Sequence, residues 1–74
     1  MADFQIQMCF KNGERWETTY RKLLPVLGLE HERFVRKPFT EGTVRQAHFV
    51  AALLEEAPLG IERVIIYDEC GQEI

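Results

Sequence analysis

Phe4-Gln5-Ile6-Gln7-Met8-Cys9-Phe10-Lys11-Asn12-Gly13-Glu14-Arg15-Trp16-Glu17-Thr18-Thr19-Tyr20 is the stretch that decides the fold of this chain. Phe4, Ile6, Met8 and Phe10 alternate with Gln5, Gln7, Cys9 and Lys11, the period of a strand with one apolar face. Asn12-Gly13 then signals a hairpin. A two-residue loop would set Phe10 against Arg15 and Met8 against Glu17, which places charges across from the apolar face. A three-residue loop, Lys11-Asn12-Gly13, sets Phe10 against Glu14, Met8 against Trp16, Ile6 against Thr18 and Phe4 against Tyr20. Only the second register lines up apolar and aromatic residues across the strands. It also requires Gly13 in the left-handed region, at a G1 bulge. This register puts Trp16 in the core beside Met8. There Trp16→Ala should cost about 3 to 5 kcal/mol, and Gly13→Ala about 1 kcal/mol.

A helical pattern overlaps the same residues. Trp16, Tyr20, Leu23, Leu24 and Leu27 recur at helical spacing, so 15–27 can also be read as a helix after a single strand. Thr18 and Thr19 favour a strand, and Pro25 interrupts a helix near its end. The hairpin is the preferred reading.

Beyond Tyr20 comes an apolar connection, Leu23-Leu24-Pro25-Val26-Leu27-Gly28-Leu29, which caps the core or faces a partner. His31 to Lys37 reads as a short charged edge strand stopped by Pro38. Thr43 and Gln46 match a capping box. From there Val44, Ala47, Val50, Ala51 and Leu54 form a helical stripe, broadened by Phe49, Leu53 and Ala57. Pro58 and Gly60 close that helix. Val64-Ile65-Ile66-Tyr67 reads as a central buried strand. Asp68-Glu69-Cys70-Gly71 is a turn with a left-handed glycine, and Gln72-Glu73-Ile74 a short return. The expected fold class is α+β: a small antiparallel or mixed sheet of three to five strands covered by one main helix. Its order is β-β-(β)-α-β-(β) in a single domain over 1–74. The alternative is a truncated ferredoxin-like β-α-β-α-β arrangement.

Size bounds the rest. The 74 residues, 46% of them hydrophobic, suit one folded core with a net stability of a few kcal/mol. The N-terminus has neither a basic region nor an apolar run of signal-peptide type, and no segment is apolar for long enough to span a bilayer. The expectation is a cytoplasmic protein with no membrane partner. Cys9 and Cys70 share no metal or redox spacing and are expected as free thiols.

Chemistry-bearing patterns are sparse. Most of the carboxylates flank turns or line the helix, without a pair that points to acid–base catalysis. The two histidines, His31 and His48, sit in no zinc-like spacing, and His48 is expected half-buried at the margin of the helix stripe. No glycine belongs to a phosphate-cradling loop. The expectation is a protein that is not an enzyme, with no cofactor, no metal site and no catalytic residue.

Charge is uneven: residues 1–48 hold eight Lys or Arg against six acids, and residues 49–74 one Arg against six acids. Glu55-Glu56 at a helix C-terminus opposes the helix dipole, without a reason visible in the sequence. Three readings of function follow. The first is a protein-binding or regulatory module, self-association included, using Leu24, Val26, Leu27, Leu29 and Phe34. The second is a nucleic-acid-binding domain with a basic stripe of Arg15, Arg21, Arg33, Arg36, Lys37 and Arg45. The acidic isoelectric point, near 5.3, speaks against that one. The third is an acidic-surface mimic that competes for a basic groove through Glu55, Glu56, Glu69 and Glu73. Protein binding is the preferred reading.

Overall fold

The computed structural model describes residues 3–28 and 41–74. These form an α+β domain with a three-stranded antiparallel sheet and, among the described residues, two helices. In chain order they are β1 (Gln5–Phe10), β2 (Arg15–Thr19), α1 (Tyr20–Val26), α2 (Glu41–Glu56) and β3 (Ile61–Tyr67). The strands lie in the order β2-β1-β3.

The hairpin takes the three-residue loop. Met8 pairs with Trp16 and Ile6 with Thr18. Gly13 has φ +93° and donates its N–H to the Phe10 carbonyl at 3.0 Å, while the Phe10 N–H reaches the Glu14 carbonyl at 2.8 Å. At the far end the Tyr20 N–H donates to the Phe4 carbonyl at 3.0 Å, so the expected register holds along its full length.

The helical pattern in the same stretch is also real, but it begins later. The strand runs to Thr19, whose side-chain oxygen accepts from the Lys22 N–H and caps α1. Asp3 adds a second anchor, accepting from the Arg21 N–H at 3.2 Å and the Phe4 N–H at 2.9 Å. The segment after Tyr20 is therefore a short helix, where the sequence had suggested an irregular apolar connection. Pro25 sits in its last turn and Gly28, at φ +68°, follows the cap. Tyr20, Leu23 and Leu24 are buried, and the Phe4 and Tyr20 rings meet edge to face at 5.5 Å.

α2 is already helical at Glu41, about one turn ahead of the capping-box reading. Thr43 lies buried in the first turn, and the residues ahead of Glu41 fall outside the described part. Ala47, Val50, Ala51 and Leu54 turn toward the sheet, and the two alanines are small enough to bring helix and sheet close. They meet Ile6, Ile61, Val64 and Ile66 in one core, joined by Phe4, Tyr20, Leu23 and Leu24.

β3 departs from expectation in two ways. It starts three residues earlier, and in the three-stranded sheet it is an edge strand, with β1 at the centre. A bulge explains the first. The register shifts between Cys9, opposite Arg63, and Phe10, opposite Ile61, so one β3 residue is extra. Ile61 and Val64, three apart, thereby both face the core, which breaks the period of two that a strand reading relies on. Alternation explains the second. Ile65 and Tyr67 lie on the helix-free face and are only half-buried, so the apolar run is not covered on both sides. The predicted return strand is reduced to a single bridge, Tyr67 to Glu73. Gly71 is left-handed, φ +83°, and the Asp68 carboxylate accepts from the N–H groups of Cys70 and Gln72 to fix the turn. The strand expected over His31 to Lys37 lies outside the described residues.

Candidate interaction surface

Two faces of the sheet differ in what they offer. One is buried under the helices. The other carries Gln5, Gln7 and Cys9 of β1, Arg15, Glu17 and Thr19 of β2, and Arg63, Ile65 and Tyr67 of β3. Across its centre runs a polar row. The Tyr67 hydroxyl donates to Gln7 Oε1 at 3.3 Å, and Gln7 Nε2 donates to Glu17 Oε1 at 3.4 Å. The Glu17 carboxylate, which only accepts, takes the amide N–H of Gln7 and leaves its oxygen for the Tyr67 hydroxyl. A shallow depression lined by Gln5, Gln7, Glu17 and Tyr67 lies over it.

Large apolar side chains stand in solvent elsewhere. Trp16 is 60% exposed, Val26 80%, Phe49 56%, Leu53 42% and Leu59 54%. Trp16 is a correction: it opposes Met8 as expected but sits at the rim of the covered face. Its ring touches Phe10 at 6.0 Å in an edge-on arrangement and leaves most of its surface wet. Phe49 and Leu53 are a second correction. They occupy the outer side of α2, one turn apart, and do not widen its buried stripe.

The contact residues expected from sequence separate. Leu24 is fully buried and belongs to the core, which removes it from any surface in this fold; Leu27 is half-buried against that core, and Val26 is exposed. Leu29 and Phe34 lie outside the described residues. Of the basic set, Arg15 is exposed on the open sheet face. Arg21 lies on α1 with its Nε 3.8 Å from Asp3, and Arg45 pairs with Glu41 at 2.8 Å on α2. These three sit on three different elements. Arg33, Arg36 and Lys37 fall outside the described residues. Of the acidic set, Glu73 pairs with Arg63 at 3.1 Å, Glu69 is exposed in the last turn, and Glu56 is exposed at the end of α2. Glu55 has a structural task that the sequence did not disclose. Its Oε1 accepts the Val64 N–H at 3.4 Å, on the side of β3 away from β1.

His48 is exposed, against the expectation that it would be half-buried, and His31 lies outside the described residues. Cys9 and Cys70 are free thiols. Among the described residues, no three His, Cys, Asp or Glu side chains gather to hold a metal ion, and no helix is long and apolar enough to cross a membrane. Among the described residues one titratable group is perturbed. Burial, and secondarily the Asp3 carboxylate, raises the Tyr20 phenol above its ordinary value of 10.0, and its hydroxyl has no hydrogen-bond partner among the described residues.

No protein-family model, curated protein or solved structure matches the chain.

Proposed function

We propose that this chain is a small protein-binding module that acts through exposed apolar side chains set among charges. The observation that carries this reading is Phe49 and Leu53 together on the outer side of α2. Exposed apolar surface costs solvation, and an aromatic beside an aliphatic one helical turn away presents an anchor of the kind found at interface centres. Trp16 on β2 adds a second aromatic in solvent. The basic-stripe reading draws less support, because Arg21 and Arg45 lie beside carboxylates on separate elements. The acidic-mimic reading also draws less, since Glu55 and Glu73 are engaged within the fold.

The test is capture of partners from native lysate by the wild-type chain and by a Phe49→Lys, Leu53→Lys variant, with matched thermal melts. Both positions are exposed, so the fold should survive. Loss of the captured partners at unchanged melting temperature supports the reading. Equal recovery of the same partners by both chains removes α2 from it.

A further inference from the structure

The outer edge of β2 presents backbone groups in a pattern that constrains any neighbouring strand. In the hairpin, Phe10–Glu14 and Phe4–Tyr20 are hydrogen-bonded pairs, so by alternation Met8–Trp16 and Ile6–Thr18 are as well. Arg15 and Glu17, the residues between, therefore turn their backbone N–H and C=O groups away from β1, and these find no partner among the described residues. An antiparallel neighbour must present its own outward-facing groups directly opposite. For a second copy of the same strand, this limits where a two-fold axis can stand.

Centred on Glu17, the axis opposes two carboxylates. Centred on Arg15, it opposes two guanidinium groups. Centred on Thr18, it sets Glu17 against Thr19 and leaves Arg15 without a carboxylate opposite. Centred on Trp16, it places Arg15 of each copy against Glu17 of the other, as hydrogen-bonded pairs with opposite charges. Trp16 then meets Trp16 of the second copy in the intervening close pair, the spacing at which cross-strand aromatics touch. One register thus satisfies backbone parity, charge and the most conspicuous exposed ring at once.

We propose that two copies of this chain associate through β2, antiparallel about a two-fold axis at Trp16, to give a continuous six-stranded sheet. The proposal rests on the protein-binding reading and narrows one partner to a second copy. The paired edge is short, so the dimer is weak and exchanges readily.

Trp16 is the only tryptophan in the chain, so its emission reports on the interface directly. Sedimentation equilibrium and Trp16 fluorescence are followed over concentrations on the order of 1 µM to 1 mM. The mass should rise from 8.7 kDa toward twice that value as the emission shifts to the blue. Glu17→Arg alone and Arg15→Glu alone each oppose like charges across the axis and should weaken association at least about tenfold. Mixing the two variants restores opposite charges between unlike chains, and the association should return. Retention of the Met8–Trp16 proton contact in each variant verifies the hairpin. A wild-type chain that stays at 8.7 kDa throughout overturns the dimer. So does association that neither variant weakens, or a mixture that stays monomeric. None of these outcomes touches the α2 surface, whose role the capture experiment decides independently.

Discussion

The two outer edges of the sheet are treated in opposite ways. Along β3 the outward backbone groups are occupied in part. The Val64 N–H goes to Glu55, the Ile66 carbonyl accepts from the Ile74 N–H at 2.9 Å, and the Asp68 N–H reaches the Gln72 carbonyl at 2.8 Å. A register bulge bends the start of the strand as well. These are familiar devices for keeping an edge from pairing with other chains. Along β2 nothing comparable is present among the described residues; that edge carries alternating charge around an exposed ring. The partly closed β3 edge thus contrasts with that of β2, whose outward groups have no partner among the described residues.

The comparison is broken most severely from the closed side. Ile66 faces the core opposite Ile6 and is 2% exposed, so Ile66→Ala should cost about 2 to 4 kcal/mol through lost burial and a residual cavity. That is most of the stability expected of a domain this size, and urea titration should show the variant largely unfolded. Trp16→Ala should cost only about 1 kcal/mol, since more than half of the ring is already wet. A larger loss at Trp16 than at Ile66 would mean that the bare edge is core after all.

That ordering reverses what the sequence suggests, and the reason is geometric. The register of the hairpin is legible because only one loop length places Met8 beside Trp16 and Ile6 beside Thr18. Register states which residues are opposite each other, not how far the helices extend over them. α2 packs chiefly against β3, at the edge of the sheet farthest from β2, which leaves Trp16 at the rim. The same limit affects Phe49 and Leu53, whose apolar character suits a wider stripe than the sheet can cover. The short helix α1 was hidden because its pattern starts inside a convincing strand, and its cap, Thr19, is also a good strand residue. Ile61 was missed because the bulge shifts the alternation. As for the candidate surfaces, residue type flagged Val26 and Arg15, which are exposed, but also Leu24, which is core. Burial depends on contacts that no local pattern contains.

A second way to sharpen the comparison lies where the β2 strand becomes α1. Tyr20 is fully buried, yet its hydroxyl has no hydrogen-bond partner among the described residues. Removing a polar group that lost its hydration without replacement should stabilise, so Tyr20→Phe is expected to gain about 1 kcal/mol near neutral pH. The pH dependence has a definite sign. The folded-state phenol holds its proton above the ordinary value of 10.0, so its contribution is fully present below about pH 10. It is lost as pH rises through the higher folded value. Urea midpoints of the wild type should therefore fall in strong alkali, and Tyr20→Phe should lack this part of the decline. A destabilised variant at pH 7 would show that the hydroxyl has a partner.

The smallest expected effect tests whether Glu55 closes the β3 edge at all. Its charge opposes the dipole at the C-terminus of α2, worth about 0.3 to 1 kcal/mol against it, while its bond to the Val64 N–H works the other way. The two influences can be separated. Glu55→Gln keeps an acceptor for Val64 and removes the charge, so it should be neutral or slightly stabilising. Glu55→Ala removes the charge and the acceptor together, and a half-buried N–H loses its partner. Glu56 is the internal control, exposed in the same last turn and with no hydrogen bond of its own among the described residues. There Gln and Ala variants differ only by helix propensity, a few tenths of a kcal/mol in favour of alanine. At position 55 the order should invert, with alanine below glutamine by about 0.5 kcal/mol. Hydrogen exchange at the Val64 amide supplies the local readout, faster in Glu55→Ala and unchanged in either Glu56 variant. If alanine is the better residue at both positions, Glu55 contributes nothing to the edge. The protection of β3 then rests on the bulge and the Gln72–Ile74 segment alone.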